Sequence, residues 1–134
     1  MSDALAFVAT LWPAAGLLLD SWHWHHSGAT SQDIVDAGAQ VSHVQLADAA
    51  NLAPEDVHDS QRLLPGQGVV DLAGFVAALR TIDYRGLVTP EVFGYQGVAD
   101  DPISSARAAL HATRQCSSTT GRCRASGDGV SVPS

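Results

Sequence analysis

Two kinds of apolar spacing divide the chain. Residues 3–11 (DALAFVATL) place Leu5, Val8 and Ala9 at helical intervals with Trp12, with Asp3 near the start and Pro13 as the stop, which predicts a short amphipathic helix. Residues 16–20 (GLLLD) carry three leucines with no alternation, the pattern of a parallel strand covered on both faces. An aromatic and histidine segment, 21–26 (SWHWHH), leads into a loop containing Gly28. Thr30 or Ser31 then caps a helix over 32–37, and a second strand covers residues 41–46. Residues 51–68 hold Pro54, Pro65, Gly66 and Gly68 among mixed polarity and read as a long loop with one turn of helix at 54–57. Loops of that length inside a compact domain are usually functional. Residues 71–80 (DLAGFVAALR) predict a second clear helix, with Leu72, Phe75, Val76 and Leu79 on one face and Asp71 as its cap. A third strand over 87–92, a loop to Asp101 and a last helix over 102–114, opened by Pro102, complete the pattern.

Helix, then three strand–helix units, is the alternation of a parallel α/β fold with right-handed crossovers. Spacing alone fits either a doubly wound sheet or part of an eight-stranded barrel. In both, function gathers beyond the carboxyl ends of the strands, and here those ends are polar. Asp20 closes the first strand; Val41, His43 and Gln45 share one face of the second; Leu87, Thr89 and Glu91 share one face of the third. Two carboxylates and an amide oxygen converging on a point repel one another unless a cation lies between them. A hard divalent ion, Mn²⁺ or Mg²⁺, meets that need and can polarise a substrate carbonyl and stabilise an enediolate. Taken singly, each acid is better explained as a helix cap or a salt-bridge partner; three polar ends on successive strands favour a shared site. His23, three residues past Asp20, is positioned to bond a substrate oxygen or shuttle a proton. His25 and His26 fit a surface turn, and a zinc site built from these loop histidines is a weak signal. Arg62 precedes the turn Pro65-Gly66-Gln67-Gly68, where it could clamp a carboxylate, phosphate or sugar hydroxyl.

Composition narrows the reading. A length of 134 residues, 46% of them apolar, suits one soluble domain with a real core. Fourteen acidic side chains face seven basic ones, all Arg, and the net charge of −7 argues against nucleic acid as a partner. No apolar stretch reaches the roughly 18 to 20 residues of a bilayer span, and Met1-Ser2-Asp3 lacks the basic start of a signal peptide. No membrane partner and a cytoplasmic location are therefore expected. Residues 115–134 are rich in Ser, Thr and Gly and read as a disordered tail, with Cys116 and Cys123 as exposed thiols rather than a disulfide framework or a metal site.

The segments GLLLDSWH, SHVQLADA and RLLPGQGVVDLAGFVAALRTIDYRGLVTPEVF, in this order, resemble the xylose-isomerase-like TIM barrels, the sugar phosphate isomerase and epimerase family. The resemblance runs from about residue 5 to 114. It implies a divalent metal held by Asp20, Gln45 and Glu91, with Mn or Mg as the first candidates and Zn or Co as further ones. It implies substrate contacts from His23 and Arg62, and an acid/base role for Glu91 in interconverting ketose and aldose, or epimers, through an enediolate. Gln45, where many members have His, is similar to the hydroxypyruvate isomerase and 3-dehydroshikimate dehydratase branches, which keeps a lyase reading as the alternative. Endonuclease-four-type phosphodiesterases share the fold but need further histidines and a D-R-H element not found here.

A full barrel has eight strands and about 250 residues, so the expected fold is a partial (β/α)8 barrel over 1–114: its last three strand–helix units, a leading helix and a disordered tail. The family's first metal-binding Glu and the partner acid/base are expected upstream of Met1. The abrupt loss of patterning after Arg114 fits a gene fragment or an out-of-frame terminus. On that reading the chain is inactive alone, or is a non-catalytic half-barrel that pairs with itself or with an amino-terminal partner chain through its open edge. Its ligand would be a small sugar or hydroxy acid.

Overall fold

Alternation in VSHVQL makes β2 (Val41–Leu46) the centre of a parallel sheet whose order is β1-β2-β5. β1 is Leu17–Asp20 and β5 is Val88–Pro90. A computed structural model describes residues 1–11, 14–93 and 101–118 of the chain. Pairing sets Asp20 opposite Gln45 and Gln45 opposite Thr89, so one row of side chains crosses the sheet near its carboxyl end. The backbone N–H of Glu91 donates to the Leu46 carbonyl at 3.0 Å and carries the ladder one residue further.

Helices follow the strands as the spacing predicts. α1 covers Ser2–Leu11, α3 Ser31–Ala37, α4 Leu72–Thr81 and α5 Pro102–Ser118. Thr30 caps α3 through a reciprocal box with Asp33, and Asp71 caps α4 by accepting from the Gly74 N–H. Ile34 of α3 and Phe75 of α4, both fully buried, form one core with Leu19, Val44 and Leu46 of the sheet. All of that burial lies on one face. Leu18, between two more protected leucines, is 54% exposed, so β1 is not covered on both faces as its leucine run suggests. The described strands make an open sheet with β1 at its edge, not a closed barrel.

Four further differences from the sequence reading have physical causes. SWHWHH is a short helix, α2 (Ser21–His26), because Asp20 supplies an N-cap that the histidine-rich composition hides. Val41 is buried with Val44 rather than grouped with His43 and Gln45, because the pairing register slips between Leu17 and Leu18. The long loop holds two single turns of 3₁₀ helix, Pro54–Asp56 and Asp59–Gln61, and a two-residue antiparallel pair, β3 (Asp48–Ala49) with β4 (Arg62–Leu63). Finally, α5 runs four residues past Arg114, so the disordered tail expected from residue 115 does not begin there. Cys116, expected as an exposed thiol, is 5% exposed within the core and disulfide-bonded. Residues 94–100, expected as a loop, Trp12, Pro13 and residues 119–134, with Cys123, lie outside the described residues.

Candidate functional site

Asp20 ends β1 and starts α2, and its two oxygens do different work. Oδ1 accepts from the backbone N–H of Trp22 at 2.8 Å and of His23 at 3.1 Å, which fixes the first turn of α2. Oδ2 accepts from Arg62 Nη1 at 2.8 Å. Both partners are buried, Asp20 at 6% exposure and Arg62 at 3%. The same Nη1 lies 3.5 Å from Glu91 Oε2, so one guanidinium stands between the two strand-end carboxylates. Nη2 reaches His23 Nε2 at 3.2 Å and Asp59 Oδ1 at 3.5 Å. The rings of Trp22 and Phe93 face the guanidinium carbon at 4.7 and 5.4 Å.

Arg62 is thus buried against two protein carboxylates while lining the cavity. Two features of the long loop place it. Asp48 is 1% exposed, and its carboxylate accepts from the N–H groups of Ala49, Gly66 and Val70 at 2.9, 3.0 and 2.9 Å. Gly66 turns the chain with φ at +89°, and a Cβ at Gly68 would overlap the Ala49 carbonyl and the Asp48 side chain. The Pro65-Gly66-Gln67-Gly68 turn is therefore pinned against β3, and β3 pairs Ala49 with Arg62. Sequence reasoning gave Asp48 no role; a lone acid two residues past a buried strand was the available signal. It also missed Asp59, whose spacing of three from Arg62 is that of a local ion pair, and the two aromatic walls.

Asp20, Gln45, Glu91, His23 and Arg62 all line one cavity of about 440 Å³ at the carboxyl ends of the strands. His23 is exposed toward it, while His25 and His26 finish α2 away from it. His43 lies one row deeper, its Nε2 hydrogen-bonded to Thr89 Oγ1 at 3.0 Å. Burial pushes the Asp20 carboxyl up, but a hydrogen bond shared with Glu91, the bonds from Arg62 and the His23 N–H, and the Arg62 charge outweigh it. The net position is below the ordinary carboxylate value. Glu91 is displaced the other way: burial, the shared hydrogen bond and the Asp20 charge raise it, against the opposing pull of Arg62 and Gln45.

The donor chemistry suits a hard cation: two carboxylates on either side of an amide in the central strand. Among the described residues no group of three His, Cys, Asp or Glu side chains comes together; Gln45 lines the same cavity as the two carboxylates. In the structure the positive charge between the carboxylates is supplied by Arg62.

Comparison with known proteins agrees with this architecture. The family model for the xylose isomerase-like TIM barrel matches residues 1–116. A 3-dehydroshikimate dehydratase of Pseudomonas putida is 39% identical over 84 residues, 60% of this chain and 13% of its own. An inosose isomerase of Bacillus subtilis is 30% identical over 96 residues, 69% of this chain and 34% of its own. Among solved structures, the IolI protein with a bound zinc atom superposes with a TM-score of 0.81 at 26% identity, covering 88% of this chain and 43% of that one. The chain therefore spans between 13% and 43% of the length of these proteins. No described helix is long and apolar enough to cross a membrane. With its parallel strands and following helices, and with the family model matched over residues 1–116, the chain belongs to the xylose isomerase-like TIM barrel family.

Proposed function

We propose that the chain carries the carboxyl-terminal part of the active site of a divalent-metal-dependent isomerase or epimerase acting on a small sugar or polyol-derived ketone. The observation that carries this reading is the convergence of Asp20, Gln45 and Glu91 on one cavity at the ends of three adjacent parallel strands. Asp20, Gln45 and Glu91 would hold the ion. Mn²⁺ or Mg²⁺ suits three oxygen donors best, and the zinc atom in the IolI structure supports Zn²⁺ as a further candidate. When bound, the ion would polarise adjacent carbonyl and hydroxyl oxygens of the substrate and stabilise an enediolate.

The protein groups have distinct tasks. Glu91, as a carboxylate, would take a proton from the substrate carbon beside the carbonyl and return it to the enediolate carbon. His23, exposed at the cavity wall, hydrogen-bonds a substrate hydroxyl, and Arg62 orients a hydroxyl or carboxylate through its planar donors. Trp22 and Phe93 restrict water around the guanidinium. Mn²⁺ should raise the melting temperature of the wild-type chain but not of Asp20→Ala, Gln45→Ala or Glu91→Ala. Unchanged Mn²⁺ stabilisation in all three would refute this assignment.

A dehydratase of a cyclic hydroxy acid is the second reading. It is favoured by the 39% identity to a 3-dehydroshikimate dehydratase and by Gln45 in the central strand. Both chemistries remove a proton beside a carbonyl, so the cavity serves either. Turnover of dehydroshikimate, with none of ketoses, by a polypeptide that contains this segment within a full-length barrel would select the dehydratase.

A further inference from the structure

Resting on the divalent-ion reading above, we infer that Arg62 is the resident counter-ion of the Asp20–Glu91 pair, and that the divalent ion and the Arg62 guanidinium are alternative cations for the same two carboxylates. Nη1 already lies against both carboxylates, 2.8 Å from Asp20 Oδ2 and 3.5 Å from Glu91 Oε2. Asp20 has no other oxygen to offer, because Oδ1 accepts two backbone N–H groups of α2. A divalent ion on Oδ2 meets the guanidinium as a like charge in a buried setting, where repulsion is weakly screened. The two cations therefore compete for that oxygen.

The surroundings of Arg62 suit an exchange rather than a permanent lock. Its Nε is buried without a hydrogen-bond partner, so the present position leaves one donor unsatisfied. Asp59, whose side chain is 64% exposed at the rim, stands 3.5 Å from Nη2 and can keep the charge when Asp20 is taken. The Trp22 and Phe93 rings face the guanidinium from β1's following helix and from beyond β5. Entry of the ion then frees Arg62 donors for an oxygen-rich ligand, which makes binding ordered: the ion first, the ligand second. By linkage the ligand in turn tightens the ion.

The test is calorimetric titration of Mn²⁺ alone into metal-free wild type, Arg62→Met and Arg62→Lys, with melting temperatures measured with and without saturating Mn²⁺. Arg62→Met should bind Mn²⁺ about tenfold more tightly than wild type, the size of a typical coupling between sites. It should also melt lower without the ion and gain more on its addition. Arg62→Lys keeps the charge but loses the second planar nitrogen that reaches His23 and Asp59, so it should fall between; if Arg62→Met does not fold, Arg62→Lys carries the test with the same sign. Equal or weaker Mn²⁺ binding by the variants, with wild type binding normally, overturns the exchange and leaves the ion site standing. If neither wild type nor the variants bind Mn²⁺, the ion reading itself is wrong and the exchange falls with it.

Discussion

The two faces of the three-stranded sheet are built to opposite rules. Toward the helices, Leu19, Val44 and Leu46 interdigitate with Ile34 and Phe75 and are almost completely buried. On the other face Leu18 is 54% exposed, Leu87 just before β5 is 72% exposed, and the remaining positions are His43, Gln45, Thr89 and Glu91. The first face holds the fold together by burying apolar area. The second leaves apolar area open near the amino ends of the strands and gathers charge at their carboxyl ends, so its residues answer to chemistry and to whatever covers the sheet. Stability and function are therefore separable by face, except where Arg62 ties them together.

The largest effect should come from the covered face. Phe75→Ala removes a fully buried ring and should cost about 3–5 kcal/mol in urea unfolding; a much smaller cost would mean that this face is not the core. Next comes the one place where the charged site is itself buried. Asp20→Ala strands Arg62 without its nearest partner and removes the cap of α2, and should cost about 3–5 kcal/mol, at or just below Phe75→Ala. Asp48→Asn keeps one acceptor oxygen but sets an amide group against a backbone N–H, and should cost about 1–3 kcal/mol, with faster amide exchange at Gly66. Protection unchanged at Gly66 would remove Asp48 as the pin of the turn.

A smaller effect is visible only through pH. In metal-free protein Glu91 titrates above its ordinary value of 4.5, so the folded state holds the proton more tightly than the unfolded one. Its contribution is full below 4.5 and declines as pH rises through the folded value. Asp20, displaced below its ordinary 3.8, contributes fully above that value, and its contribution is lost as pH falls through the folded value. Stability should therefore decline from about pH 4.5 upward by an amount that Glu91→Gln abolishes, and fall again in acid through Asp20. The smallest effect belongs to the open face: Leu18→Thr should shift stability by no more than about 0.5 kcal/mol. A large loss there would show that the face is already covered in solution, as the self-pairing half-barrel requires.

Legibility in the sequence followed the same division. β2 was readable because its second half, HVQL, alternates polar and apolar, and α4 because its apolar stripe follows a clear cap at Asp71. The polar strand ends were readable because Asp20, Gln45 and Glu91 interrupt apolar runs at corresponding places, and the structure brings all three to one cavity. Features settled by tertiary contact were not readable. A two-residue ladder such as β3–β4 is too short to have a period, yet it buries Arg62. LLL has no alternation, so the exposure of Leu18 depends on what lies beyond the sheet. The end of α5 was placed too early because Ser and Thr dominate its last turns, although Cys116 packs into the core.

The central claim, that three strand ends form one cation site with substrate-orienting neighbours, is tested most directly by the melting temperature of the metal-free wild type, Asp20→Ala, Gln45→Ala and Glu91→Ala before and after addition of Mn²⁺. The account predicts a rise in the wild type that is lost or strongly reduced in each variant. The same rise in all four proteins, or none in the wild type, would contradict it.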